Sequence, residues 1–228
     1  MRIDVVTLFP KIVESALSES IIGRARKKKL LDLYVHDLRP YGLGKHHVTD
    51  DSPYGGGPGM VMRCEPLFHA AEKILGSEYH ITPRILMCPQ GRLLKQTVVR
   101  ELSAHPRIFI ICGHYEGVDE RVRLYLATDV ISIGDYILTN GALAAAVLID
   151  SVVRLIPGVL GSSESTVHES FTQDTLEGPT YTRPAVFRGW KVPEVLLNGN
   201  HEQISLWRHQ MAITRTKQIR PDIKAKEG

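Results

Sequence analysis

The amino-acid sequence predicts an α/β fold, a mainly parallel sheet covered by helices and followed by a small helical C-terminal domain. Three observations predict it. Five short runs rich in aliphatic and β-branched residues recur between residues 2 and 133, stretches with helical apolar spacing separate them, and the chain changes character after Pro157. The order strand, helix, strand is what parallel pairing demands, because adjacent parallel strands need a long crossover.

The strands are expected at 2–9, 31–35, 84–88, 107–112 and 129–133. Runs such as Ile108-Phe109-Ile110-Ile111 carry no polar interruption, the pattern of a strand covered on both faces. Helical spacing marks 11–29, 66–75, 93–103 and 118–126. The segment 141–156 is apolar almost all round, with Asp150 and Arg154 its only charges. A helix of that kind is buried on more than one side, by its own domain and by a second subunit. From 158 to 173 Gly, Ser and Thr dominate and predict a flexible linker. Helices at 193–197 and 201–220 then complete a small domain. The expected division is 1–160, a linker at 161–175, and 176–228, with 161–174 ordering only when a partner binds.

Charge is unevenly placed. Residues 1–175 hold 19 Lys and Arg against 20 Asp and Glu, whereas 176–228 hold 9 against 5, so the net charge of +3 lies in the tail. A basic appendage on a neutral body suits a polyanion. No apolar run approaches the length of a membrane span, and the N-terminus lacks the pattern of a secretion signal, which predicts a cytoplasmic protein. Cys64, Cys88 and Cys112 are odd in number and widely spaced, as expected of reduced thiols rather than of a bridge or a metal site.

Three loops follow apolar strands directly: Cys88-Pro89-Gln90-Gly91, Gly113-His114-Tyr115-Glu116-Gly117, and the stretch from Ser132-Ile133-Gly134 through Tyr136 and Leu138 to Asn140-Gly141. Open α/β sheets bind ligands at the carboxyl ends of their strands, and the glycines allow close backbone approach. A fourth cluster, Tyr54-Gly55-Gly56-Gly57-Pro58-Gly59-Met60, lacks the Gly-Lys-Ser/Thr ending of a P-loop and has no strand leading into it. By itself it reads as a turn-rich loop.

These residues resemble the bacterial tRNA (guanine-N1)-methyltransferase family, of the trefoil-knotted class often called SPOUT. The resemblance runs from Leu8-Phe9-Pro10 through the glycine cluster, Pro89-Gln90-Gly91, Tyr115-Glu116-Gly117-Val118-Asp119-Glu120-Arg121, Ser132-Ile133-Gly134-Asp135-Tyr136 and Ile156-Pro157-Gly158 to Tyr181-Thr182-Arg183-Pro184, Gly199-Asn200-His201 and Trp207-Arg208. It implies a deep trefoil knot holding S-adenosylmethionine. The implied cofactor residues are Leu86, Pro89, Gln90, Gly91, Gly113, Tyr115, Glu116, Ser132, Ile133, Gly134, Tyr136, Leu138 and Gly141. It further implies methylation of guanine N1 at tRNA position 37, a step that maintains the reading frame, with a linker carboxylate as general base and Arg154 easing the charge on O6.

The base position holds Glu169 where the family usually has Asp. Asn140-Gly141-Ala142 likewise replaces Gly-Gly-Glu, Ala144 replaces Pro, and His114 replaces Arg. A side chain at Asn140 is expected to narrow the pocket or to demand an unusual backbone angle. The implied partners are the tRNA anticodon arm and a second copy of the chain, with neither DNA nor membrane. The resemblance also implies Mg²⁺ in catalysis, without a dedicated metal site. Two other readings stay open: a knotted methyltransferase acting on a different RNA or base, and a non-catalytic RNA-binding module.

Overall fold

The computed structural model describes residues 1–161, 169–172 and 174–223. Most of the expected linker, at 162–168 and 173, lies outside the described residues. The chain divides into two compact units, Met1–Leu160 and Gly161–Gly228.

Five strands form the sheet of the first unit: β1 (Arg2–Thr7), β2 (Asp32–Asp37), β5 (Arg84–Leu93), β6 (Arg107–Cys112) and β7 (Asp129–Ser132). They run parallel in the order β2-β1-β6-β5-β7. Alternation along each strand sorts the core into two layers. Ile3, Val5, Ile108, Ile110 and Ile85 face one side, where α1 (Pro10–Ala16), α2 (Ser20–Lys27), α4 (Gln96–Ser103) and α5 (Gly141–Val153) cover them. Val6, Phe109, Ile111 and Leu86 face the other, against α3 (Cys64–Leu75). A two-stranded ribbon of β3 (Asp50–Asp51) and β4 (Val61–Met62) brackets the glycine cluster.

Three expected elements of the first unit are corrected. The helix expected over 11–29 is two helices, because Ser20 adopts φ 55° and Gly23 packs where a Cβ would lie 2.2 Å from the Ser18 carbonyl oxygen. The helix expected from 93 starts at Gln96, since Arg92 and Leu93 still pair with Ile131 and Ser132 of β7. The helix expected over 118–126 shrinks to a wide turn at Val122–Leu126.

Asp4, fully buried in β1, is the polar exception in the sheet. Arg107 Nε and Arg2 Nε donate to its Oδ2, both at 2.9 Å, and His36 Nε2 lies 2.9 Å from Oδ1. Arg107 also donates to Glu78 and to the Ile74 carbonyl, so the buried guanidinium has partners on three elements. Burial by itself would raise the Asp4 pKa; the hydrogen bonds from His36, Arg2 and Arg107 outweigh it and hold the carboxyl below its ordinary value.

In the second unit, β8 (Val186–Phe187) and β9 (Trp190–Lys191) form a hairpin and α6 (His201–Ile219) is the one long helix described. Asn200 caps α6 by accepting from Gln203 N–H at 3.1 Å. The helix expected at 193–197 is a single 3₁₀ turn, Glu194–Leu196.

Candidate active site

The carboxyl ends of β5, β6 and β7 meet around a cavity of about 410 Å³. Each wall is a loop held by a specific local device. In the first, Met87 and Arg92 both pair with Ile131, so residues 88–91 bulge out of the strand. The neck of that bulge is fixed by Arg92, whose guanidinium grips Asp129 of β7 at 2.8 Å and Glu101 of α4 at 2.9 Å. A charge-assisted fork of this kind fixes direction as well as distance.

The second loop leaves β6 at Cys112 and is tied to β4. His114 N–H points at the Met62 sulfur at 3.1 Å, Glu116 N–H donates to the Met60 carbonyl at 3.0 Å, and Met62 N–H donates to Gly117 at 2.9 Å. Tyr115 takes φ 60°, a left-handed conformation rare for a tyrosine, in the middle of this anchored turn. Burial and the neighbouring Asp50 carboxylate raise its phenol pKa. Gly59 of the glycine cluster packs against the Glu116 side chain, where a Cβ would lie 2.6 Å from Cγ.

The third loop returns from the sheet edge. Ser132 Oγ donates to the Gly134 carbonyl at 3.0 Å, and the Tyr136 ring folds back over Gly134 so tightly that a Cβ there would meet it at 2.3 Å. Asn140 ends the loop in extended backbone, φ −165°, and its Oδ1 accepts from Ala142 N–H at 2.9 Å as the N-cap of α5. The unusual angle expected at Asn140 is therefore not needed. Gly141 N–H then donates to the Gly113 carbonyl at 2.8 Å, which closes the third loop against the second.

The structure brings the expected cofactor residues together around this cavity with the exception of Gly91. Gly91 faces the sheet: a Cβ would lie 2.5 Å from the backbone of Val130 and Ile131, so this glycine lets β5 and β7 close at the bulge. His114, Asn140 and Ala144, positions where the chain departs from the family pattern, also line the cavity, as do Ile137 and Thr139, which were not singled out. Their chain neighbours were; what the sequence lacks is the side-chain direction within each loop. Cys88 sits at the wall while Cys64 and Cys112 are buried, and burial pushes the Cys112 thiol up to about 12.

The two expected catalytic residues are not among those lining this cavity. Arg154 is the C-cap of α5, whose first residues line the cavity; thirteen residues of helix separate the two ends, about 20 Å. Glu169 belongs to the second unit and is half-buried. It lines a cleft of about 540 Å³ between residues 175–180 and α6, with His201, Arg208 and His209. Gly178 makes the close approach possible there, since a Cβ would lie 2.9 Å from the Arg208 carbonyl oxygen. Among the described residues no three His, Cys, Asp or Glu side chains converge as a metal site would. No described helix is long and apolar enough to cross a membrane.

The family model for tRNA (guanine-1)-methyltransferase TrmD matches residues 1–226. The chain belongs to this family. A tRNA (guanine-N(1)-)-methyltransferase of Dehalococcoides mccartyi is 54% identical over 226 residues, covering 99% of this chain and 91% of the relative. Proteins of the same name from Brevibacillus brevis and Moorella thermoacetica are each 54% identical over 227 residues, covering 99% of this chain and 92% and 91% of the relatives. Membership in the TrmD family gives the three-loop cavity a chemical context, that of a methyltransferase.

Proposed function

We propose that this protein transfers a methyl group from S-adenosylmethionine to N1 of the guanine at tRNA position 37, as a homodimer in the cytoplasm. The observation that carries the reading is that a chain matched by the family model over residues 1–226 holds a cavity between three strand-end loops. The cavity suits the donor in size, within the range of small-molecule sites. It suits it in lining as well. At Gly113 a Cβ would meet nothing closer than 3.6 Å, so the missing side chain leaves room for a ligand against bare backbone. Ile133 and Leu138 offer apolar surface, and Glu116 offers a carboxylate for a cationic group. When bound, S-adenosylmethionine supplies a methyl group on positively charged sulfur, activated for attack by a nitrogen lone pair.

The rest of the chemistry falls to side chains. N1 of guanine carries a proton, and the Glu169 carboxylate accepts it as the nitrogen takes the methyl group. Negative charge that builds on O6 is offset by the Arg154 guanidinium. The length of α5 supports a second copy in this reading, because an Arg154 at the far end of α5 from its own loops serves the cavity of a partner. The outward face of α5 supports it too: Leu143 and Val147, one turn apart, are 48% and 46% exposed. The knot belongs to the same reading. The chain leaves the edge strand β7 and comes back to bond Gly113 at the end of β6, the kind of return a threaded loop requires. We assign 1–160 to the cofactor and catalysis, 161–175 to the linker, and the basic 176–228 to tRNA. Mg²⁺ that arrives with RNA phosphates needs no protein cage.

The test is methyl transfer from labelled donor to a transcript with guanines at positions 36 and 37, against the same transcript with adenine at 37. Transfer only to the first, lost by about 100-fold or more in Glu169→Gln and kept in Glu169→Asp, is the expected result. Donor binding without transfer to either transcript would point to another RNA or base. Absence of donor binding would leave only an RNA-binding module.

A further inference from the structure

The hairpin of β8 and β9 is built to present rather than to bury. Its cross-strand pair is Phe187 and Trp190, with ring centroids 6.1 Å apart, yet the two residues remain 53% and 70% exposed. The turn between them, Arg188-Gly189, has φ 52° and 85°, the mirror-image turn that suits tight hairpins. Arg188 holds its guanidinium over the Phe187 ring, 5.3 Å from the centroid. The stretch 178–193 contains Arg183, Arg188 and Lys191 and no acidic residue. Exposed tryptophan is costly in water, and a hairpin with two paired rungs has little core to gain from it.

Flat aromatic surface beside unpaired positive charge is the arrangement that single-stranded nucleic acid recognises. Bases stack on the rings and phosphates meet the cations. Within 178–193 every charge is positive, which complements an anionic partner, and the exposed rings add the stacking surface that unpaired bases use. We infer that the hairpin is a stacking platform for an unpaired nucleotide of the RNA substrate, outside the methylated base. The inference rests on the proposed function, because the nucleotide belongs to the tRNA that the enzyme methylates.

Two measurements on the full-length protein test it. In a Trp207→Phe background Trp190 is the remaining tryptophan, and its emission is expected to be quenched when tRNA binds. In the second, Trp190→Leu raises the Kd and KM for tRNA roughly tenfold, Trp190→Phe restores most of the loss, and donor affinity is the same in all three. Equal tRNA affinity for the Leu and Phe variants, or unchanged emission while tRNA binds, would overturn the inference. So would a change in sedimentation of the RNA-free Leu variant, which would make the hairpin a contact between copies. A wild-type protein that neither binds nor methylates tRNA would instead sink the proposed function itself.

Discussion

Gly141 and Gly113 are joined by a 2.8 Å hydrogen bond between backbones that no side chain separates. A Cβ on Gly141 would lie 2.9 Å from both the Cys112 Cα and the Gly113 nitrogen, and neither is the yielding end of a flexible side chain. The helix start and the strand end are thus in direct main-chain contact, which fixes the distance between two cavity walls. Gly141→Ala must push them apart. A cost of about 1 to 3 kcal/mol is expected from overpacking, seen as a lower Tm. Donor affinity, measured by calorimetry, should fall by about tenfold as the walls shift.

Asn140 performs a second, separable task beside it. Its side chain accepts from Ala142 N–H and so satisfies one of the free donors at the start of α5. Asn140→Ala should cost about 1 kcal/mol of stability, and Asn140→Ser or Asn140→Asp should cost much less. Denaturant unfolding of the four proteins checks this. A glycine at 140 should lose only a few tenths of a kcal/mol, so the residue's departure from the family's usual glycine is a gain in helix capping rather than a strain.

How much of this was legible in the sequence differs by level. Continuous aliphatic runs such as 107–112 announced the sheet, because strands covered on both faces must be apolar throughout. The strand-end loops were legible for the same reason, as glycine-rich segments following those runs. What was not legible is what depends on long-range pairing. The continuation of β5 past its bulge is set by β7, some forty residues later, and nothing local to Arg92 and Leu93 distinguishes a strand from a helix start. The need for glycine at position 91 also depends on long-range pairing. A glycine in a strand-end loop looks like ligand access, yet here it is the crossing backbone of Val130 and Ile131 that excludes a side chain. The position of Arg154 relative to the cavity was out of reach too, since it follows from the direction in which α5 packs.

The Asp4 cluster sets a prediction about stability and acid. Asp4 and Arg107 are both buried, so removing the carboxylate leaves a guanidinium without its main counter-charge. Asp4→Ala is expected to lose about 3 to 5 kcal/mol in urea unfolding at neutral pH. The wild-type carboxyl titrates lower in the folded than in the unfolded chain, so its contribution is complete above the unfolded value of about 4. It is lost as pH falls through the folded value. The stability gap between wild type and variant should therefore be constant from pH 5 to 7 and narrow below pH 4; a gap that widened in acid would contradict the assignment.

The orientation of α5 makes a prediction about which chain completes the site. Its N-terminus lines the cavity and its C-terminus carries Arg154, so one chain holds the two parts a helix length apart. Two inactive variants separate the alternatives: Arg154→Ala, which keeps the cavity, and Gly113→Leu, whose side chain enters it. If Arg154 acts on its own chain's cavity, neither chain in a mixed dimer is competent, and co-expression restores nothing. If it acts on the partner's, a mixed dimer has one intact site, formed by the open cavity of the first chain and the arginine of the second. Random pairing makes half of the dimers mixed, so methyl transfer to tRNA should return to about a quarter of the wild-type rate. Activity at that level from two preparations that are each inactive alone would require the shared site, and its absence with dimers demonstrably mixed would contradict the action of Arg154 on a partner's cavity.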